Sequence, residues 1–206
     1  MARVKLSLIL LSIIATQALA QLSQTIELYS ERDCRGRKVI FSERYVEDLG
    51  VFGWNDVAKS ASVTGAWILY EHAFFNQGSN SATEYIANKP CTNLGYVPEK
   101  VSSLRFAGDK RNYLINSVTL YKSRYFQEEE EFTSGDLPHL SLQQQASFII
   151  TGNAGWTFYD SANFQGNSIC VYPPSSASSD PYFVHDMDQM LNIPTNSIRS
   201  IKFGCV

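Results

Sequence analysis

The sequence predicts an all-β protein, and three observations lead to this fold class. Short segments are rich in β-branched and aromatic residues, turn residues separate them, and no convincing amphipathic helix appears. Short strands at regular spacing are typical of β-sandwiches and barrels. The predicted strands are residues 38–41, 61–63, 67–70, 117–121 and 147–150. Single helical turns are considered only at residues 45–49 and 187–191.

The second half of the chain repeats the first. Residues 62–70 and 149–159 both run from an apolar stretch through Thr-Gly to Trp, two further residues and Tyr. Residues 101–106 likewise parallel residues 198–203. The join falls in a short polar stretch that begins at Gly108, as expected of a linker. We therefore predict two domains, residues 21–108 and 109–206.

A smaller unit recurs within each half, in which a strand ends in Tyr and is followed by polar residues, an aromatic residue and Gly. Gly accepts a positive φ without steric cost, so it suits a hairpin that folds back over its sheet. Cys34 takes the aromatic position in the first copy, and Glu128 replaces Gly in the third, which predicts a strained or rearranged hairpin there. The motif positions are Tyr29, Gly36, Tyr70, Phe75, Gly78, Tyr121, Phe126, Tyr159, Phe164 and Gly166.

The first twenty residues have the layout of a secretory signal. Arg3 and Lys5 precede an apolar stretch, and small residues lead to a cleavage position after Ala20. The apolar stretch is shorter than the roughly 20 residues that a membrane-spanning helix needs. We therefore predict residues 1–20 to be a signal peptide, the mature protein to be secreted and extracellular, and no segment to span a membrane.

Four cysteines, Cys34, Cys91, Cys170 and Cys205, follow this segment. Disulfides are the default in an oxidising compartment. Three pairings are open, and two domains with two cysteines each would favour Cys34–Cys91 and Cys170–Cys205. No Cys or His spacing typical of a zinc site accompanies them.

Charge and residue distribution argue against two functional classes. The formal net charge is −3 and no basic cluster occurs, so nucleic acid is not an expected partner. The acidic run at residues 128–131 is interpreted as a solvated strand edge or hairpin. His72, His139 and His185 lie in different repeats without a neighbouring nucleophile motif, so we predict no catalytic residue and no enzyme activity.

The repeat unit carries a family resemblance. Tyr159, Phe164 and Gly166 resemble the signature of the βγ-crystallin superfamily. Residues 54–60 resemble its Asn-Asp-x-x-Ser/Thr-Ser loop, and residues 136–140 its Asp-Val-Pro-Asp-Leu stretch. The resemblance covers the mature chain and implies two βγ-crystallin-like β-sandwich domains, each made of two intercalated Greek keys.

The same resemblance implies calcium as a candidate ligand, bound by oxygen atoms of these loops. The degenerate site that remains consists of Asn55, Asp56, Glu99 and Ser102. Lys59 and Arg199 stand where two loops of the family have a hydroxyl ligand, and an ammonium or guanidinium group repels the cation. The third loop, within residues 141–146, has no acidic residue. We therefore expect calcium binding to be weak or lost.

These observations predict a secreted, non-enzymatic structural or binding protein with an unidentified extracellular macromolecule as partner. One alternative is a secreted effector, such as a protease inhibitor or a toxin component, which would act through an exposed loop at residues 79–91 or 173–181. Another is a calcium-dependent matrix or adhesion module. Each half is expected to leave an apolar face, which would pair within a monomer or across a homodimer.

Overall fold

A computed structural model describes residues 22–174 and 180–205 of the chain. The predicted signal peptide and the middle of the loop at residues 173–181 lie outside the described residues. The fold is all-β, as predicted, and the paired strands are antiparallel. The described strands are β1 Thr25–Tyr29, β2 Lys38–Ser42, β3 Ser60–Tyr70, β4 Thr83–Asn93, β5 Ser103–Ala107, β6 Ser117–Tyr121, β7 Glu130–Thr133, β8 Ser147–Thr151, β9 Trp156–Ser161, β10 Gln165–Val171, β11 Tyr182–Val184 and β12 Ser200–Phe203.

Strands β1 to β5 form the first sandwich, in which β3 contributes to both layers. The first half of β3 pairs with β1, and its second half pairs with β5. Between the halves Gly65 has a φ of +89°, and a Cβ there would clash with Gln24 Oε1. This bend lets Ala61 and Leu69, on either side of it, pack into one core. The prediction of two separate strands, residues 61–63 and 67–70, is therefore wrong, because one bent strand covers both.

Strands β6 to β12 form the second sandwich, which has two separate sheets. The strand orders are β11-β8-β6-β7 and β10-β9-β12. At the position that corresponds to the bend in β3, the second sandwich has two strands instead of one, because residues 152–155 separate β8 from β9. Trp156 and Phe158 of β9 pack with Phe148 and Ile150 of β8 in the second core.

A third apolar cluster joins the two sandwiches. Side chains alternate along β3, so Trp67 and Leu69 enter the first core while Ile68 and Tyr70 point to the other sandwich. Burial of a large apolar side chain stabilises by about 1.5–3 kcal/mol, so this contact is substantial. The apolar faces of the two halves therefore meet within one chain. The buried members are Ala66, Ile68, Tyr70, Ala107, Tyr121, Phe126 and Ile149.

Among residues 22–174 and 180–205, helical structure is confined to short turns. Helix α1 spans Met187–Leu191 as predicted, and the Asp186 side chain accepts a hydrogen bond from Gln189 N at its start. A 3₁₀ turn spans Leu49–Phe52 and so begins where the predicted turn at residues 45–49 ends. Within the described part of the chain, no helix has the length and apolar character needed to cross a membrane.

Each sandwich contains one disulfide. Cys34, between β1 and β2, is bonded to Cys91 of β4, and Cys170 of β10 is bonded to Cys205 after β12. These are the pairs that the sequence favours. Each bridge restricts the unfolded chain and contributes typically 2–4 kcal/mol to stability.

Candidate functional site

The predicted calcium loops of the first sandwich lie side by side. Residues 54–60 and 98–103 are joined by two backbone hydrogen bonds, from Asp56 N to Val101 O at 3.1 Å and from Glu99 N to Ala58 O at 2.8 Å. Asp56 and Glu99 both have a positive φ, 58° and 56°. The structure therefore brings the two halves of the predicted site together in one paired arrangement.

Side chains of the protein engage the candidate oxygen ligands. Lys59 Nζ lies 3.0 Å from Glu99 Oε1, so its ammonium joins one loop to the other. Ser102 Oγ donates to Glu71 O at 2.7 Å, and Asn55 Nδ2 donates to Asp56 Oδ2 at 2.8 Å. Calcium prefers six to eight oxygen ligands, and here the Lys59 ammonium engages one oxygen of Glu99 that such a site would use.

A second lysine stands beside the same loops. Lys100 Nζ lies 3.2 Å from Glu71 Oε1. The pKa of the Glu71 carboxyl is lowered, first by the hydrogen bond from the backbone N–H of Ala82 and then by Lys100. A lysine thus pairs with each of the Glu71 and Glu99 carboxylates.

The corresponding loops of the second sandwich are also joined to each other by a backbone hydrogen bond, but they have fewer side chains that could bind calcium. Asn196 has a φ of 60°, and its N–H donates to Gln145 O at 2.7 Å. Arg199 Nη1 donates to the neighbouring Ile198 O at 2.8 Å. In residues 22–174 and 180–205, no group of three or more His, Cys, Asp or Glu side chains is arranged to hold a metal ion.

The aromatic residues of the hairpin motif pack as the repeat suggests. Ring centroids are 5.6 Å apart for Tyr70 and Phe75, and 5.5 Å apart for Tyr121 and Phe126. Tyr159 and Phe164 lie 6.0 Å apart. The first hairpin, with Cys34 in place of the aromatic residue, instead places Lys38 Nζ 6.0 Å from the Tyr29 ring centroid.

The Gly position of the hairpins shows how the repeats differ. Gly36 and Gly166 have φ values of 79° and 80°, and Gly78 one of 73°. Glu128 retains the same conformation with a φ of 65°. Of the two predicted outcomes the third hairpin therefore shows the strained one, because a left-handed conformation costs a non-glycine residue roughly 1–2 kcal/mol.

Four serines that the sequence analysis missed hold the hairpins in place. In each repeat a serine hydroxyl donates to a carbonyl of the hairpin at 2.6–2.7 Å and accepts a backbone N–H at 3.0–3.1 Å. The parallel between residues 101–106 and 198–203 already aligned two of them, so the repeat contained the signal. The serines are Ser60, Ser103, Ser147 and Ser200.

A buried charged group at the contact between the sandwiches was also missed. Arg105 has only 2% of its side chain exposed. Its Nε donates to Tyr70 Oη at 2.8 Å and lies 3.3 Å from Glu130 Oε2. Its two Nη atoms donate to Phe126 O and Glu128 O, both at 2.8 Å. The guanidinium therefore links the two sandwiches, because each of its three nitrogen atoms donates a hydrogen bond.

Glu130 completes this link from the second sandwich. Its Oε1 accepts the hydroxyl of Tyr45 at 2.5 Å. Burial raises the pKa of the Glu130 carboxyl, and Arg105 and the Tyr45 hydrogen bond offset only part of the increase. Burial likewise raises the pKa of Tyr70 and of Tyr121.

The acidic run is therefore only partly a solvated edge. Its strand β7 does lie at the edge of its sheet. Glu130, however, turns to Arg105, and Glu131 accepts hydrogen bonds from Ser141 N, Ser141 Oγ and Leu142 N at 2.7–3.1 Å. The interpretation as a solvated run is wrong for Glu130, which is held in a buried ion pair, whereas the hydrogen bonds of Glu131 lie mostly at the surface.

One proposed effector loop is also corrected. Residues 83–93 form strand β4, so only the first few of residues 79–91 are loop. The strand pairs with β3 along its whole length, which removes most of this segment as a protruding inhibitory loop.

Comparisons with known proteins agree with this architecture. Residues 25–107 match the family model described as Beta/Gamma crystallin. Geodin, a beta-gamma crystallin from Geodia cydonium, aligns with 88% of this chain and 99% of its own, at 17% identity and a TM-score of 0.68. A betagamma-crystallin from an archaeon aligns with 43% of this chain and 96% of its own, at 21% identity and a TM-score of 0.36.

A structure of protein S complexed with calcium aligns with 88% of this chain and 99% of its own, at 16% identity and a TM-score of 0.31. The comparison with curated protein sequences found no match. Of these three structures, Geodin is the one whose TM-score is high enough to support the fold assignment.

Two Greek-key sandwiches in one chain, with serine-held hairpins in every repeat, define an all-β protein of the Greek-key class. Its first sandwich matches the Beta/Gamma crystallin family model over residues 25–107. The likeness to Geodin extends the family's fold to the second sandwich.

Proposed function

We propose that this βγ-crystallin is a secreted, non-enzymatic structural and binding protein whose calcium sites have been lost. The observation that carries the proposal is the 3.0 Å contact between Lys59 Nζ and Glu99 Oε1. It joins the two loops that would otherwise share a cation, so a side chain of the protein supplies the positive charge there.

Electrostatics favour this internal cation over calcium. A calcium ion near Glu99 would have to displace the Lys59 ammonium or lie close to it, and like charges repel. The hydroxyl that the family motif places at this position is also absent. The site therefore lacks both the hydroxyl ligand and a Glu99 carboxylate that is free to bind calcium.

Two features support secretion. The disulfides Cys34–Cys91 and Cys170–Cys205 are of the kind that forms in oxidising compartments. Residues 1–20 have the composition of a cleavable signal. Expression of the full chain in secretory cells should release a protein whose first residue is Gln21, which N-terminal sequencing of the medium would verify.

Calcium independence is tested by thermal unfolding of the oxidised mature protein in EDTA and in millimolar calcium. We expect the same midpoint in both buffers. The Lys59→Ser variant restores a hydroxyl and frees Glu99, so its midpoint should rise with calcium. A ligand at a hundredfold excess over its dissociation constant stabilises by about 2.7 kcal/mol.

Lys89→Ser is the matched control. Lys89 is exposed on β4, away from the loops, and its substitution removes the same positive charge. It should show no response to calcium. A calcium-dependent midpoint in the unaltered protein would reject the proposal and favour the calcium-dependent matrix or adhesion module. No response in Lys59→Ser would show that Lys59 is not what excludes the ion.

A further inference from the structure

We propose that the cleft between the two sandwiches binds an oligosaccharide of neutral sugar units. The cleft has a volume of about 630 Å³, within the range of roughly 300–1,000 Å³ that is usual for ligand sites. Its walls come from both halves: the loop before β4 and Tyr96 from the first, and the turn Arg124–Phe126 and His185 from the second.

Aromatic side chains line this cleft, and two of them are substantially exposed. Tyr96 is 76% exposed and Tyr125 is 49% exposed. Tyr125 stacks on His185 with ring centroids 5.3 Å apart and planes 12° apart. A tyrosine ring offers a large, rigid and amphipathic surface at low entropic cost, which suits the apolar face of a sugar ring.

The third tyrosine is held rigidly at the floor of the cleft. Tyr85 packs edge-on against Phe126 at 5.2 Å and lies 4.9 Å from Phe183. These partners belong to the second sandwich, so the contact between the sandwiches itself positions the ring. The cleft is therefore preformed, which reduces the entropic cost of binding.

Polar side chains line the cleft together with the rings. Gln127 is buried, and its Nε2 donates to Ser81 O and Thr83 Oγ1, both at 2.9 Å. In the part of the chain that the structure describes, no donor contacts its Oε1. Asn80 of the first sandwich and Arg124 of the second add an amide and a guanidinium group to the lining.

Charge favours a neutral ligand. Arg124 Nε lies 2.9 Å from Asp186 Oδ2, and the Asp186 side chain is 3% exposed. The guanidinium is thereby oriented and its charge offset, while its outer donors remain available to hydroxyl oxygens. No carboxylate lines the cleft among the described residues, so a cationic ligand finds no partner there.

The inference rests on the binding half of the proposed function and concerns a site separate from the calcium loops. The test exposes the oxidised mature protein to an array of oligosaccharides ending in glucose, galactose, mannose or an N-acetylhexosamine, in EDTA. The best binder is then titrated by NMR. We expect Tyr96→Ala and Tyr125→Ala each to weaken binding at least tenfold.

Tyr172→Ala is the matched control, because Tyr172 is 62% exposed and lies outside the cleft. It should bind like the unaltered protein. The absence of any bound sugar, or equal losses in all three variants, would overturn the inference and leave calcium independence untouched. Binding of a peptide library in place of the sugars would overturn it as well.

If the protein cleaves a bound sugar, the inference that the cleft binds sugars stands, and the proposed non-enzymatic function is contradicted instead. The failure of the inference and the failure of the proposed function are thus distinguishable. Thermal unfolding of each variant supplies the check that the sandwiches still fold.

Discussion

Two ion pairs join parts of this chain, and they differ in almost every physical respect. Arg105 and Glu130 meet between the sandwiches, with side chains 2% and 17% exposed. Lys59 and Glu99 join two surface loops, with side chains 37% and 60% exposed. The buried pair comes with hydrogen bonds to carbonyls and hydroxyls, whereas the exposed pair consists of one contact. Burial demands such a network, because each uncompensated charge or donor away from water is costly.

Removal of the buried cation is the largest expected effect. Arg105→Met leaves the buried Glu130 carboxyl without its cation, and deprives Glu128 O of its donor. We expect the free energy of unfolding to fall by about 3–5 kcal/mol, measured by denaturant titration.

Arg199→Met is the control, since Arg199 is exposed and its guanidinium donates only to Ile198 O. It should stay within about 0.5 kcal/mol of the unaltered protein. Equal effects of the two substitutions would mean that burial adds nothing to the role of Arg105.

The double variant Arg105→Met, Glu130→Met sharpens the comparison. The double variant has no unpaired carboxylate, so it should be more stable than Arg105→Met by at least about 1 kcal/mol. The reason is that removing one partner of a buried ion pair destabilises a protein more than removing both. The carbonyl of Phe126 still accepts the Tyr70 hydroxyl, whereas Glu128 O stays unpartnered. A double-mutant cycle in the same denaturant titration measures the coupling, and strict additivity would contradict it.

The pH dependence of stability gives the next smaller effect. The pKa of Glu130 is raised in the folded protein, so between its ordinary value of 4.5 and the raised value the folded state binds more protons than the unfolded state. The contribution of Glu130 to stability is therefore present at low pH and declines as pH rises through the raised pKa. Glu130→Gln should lack this decline, with a limiting slope of about 1.4 kcal/mol per pH unit.

Glu129→Gln provides a control of opposite sign. Lys122 lowers the pKa of the exposed Glu129, so its contribution is present above pH 4.5 and lost as pH falls. Unfolding free energies of the three proteins from pH 3 to pH 8 would separate the two cases. A loss of stability on acidification that Glu130→Gln abolishes would contradict the assigned direction.

The sequence predicted most clearly what recurs along the chain, and it missed several contacts between distant residues. The hairpin tyrosines follow from a spacing that recurs in both halves, whereas the disulfide pairs follow from the presence of two cysteines in each predicted half. Arg105 occupies a repeat position whose counterpart is Lys202, and nothing near it indicates a partner 25 residues further on. The bent strand β3 was divided because Gly65 resembles a turn residue, whereas the buried Gln24 holds the bend within a continuous strand by accepting Ala66 N at 2.9 Å.

The sequence predicted only part of the arrangement of the candidate calcium loops. The substitution at Lys59 is visible in the sequence, and it predicts a poorer calcium site. That its ammonium reaches Glu99 depends on the pairing of two loops about 40 residues apart, which backbone hydrogen bonds create. Exposed side chains of this kind carry no hydrophobic pattern from which such a contact could be predicted.

The smallest expected effect concerns the exposed pair. Glu99→Gln removes the charge that meets Lys59, yet the loops stay joined through Glu99 N to Ala58 O and Asp56 N to Val101 O. We expect the free energy of unfolding to change by less than about 1 kcal/mol, and the change to vanish in high salt. A loss as large as that of Arg105→Met would show that Lys59 and Glu99 form part of the scaffold. A small loss agrees with a pair whose consequence lies in ligand exclusion, because a weak contact that matters little to stability can still occupy the place of a cation.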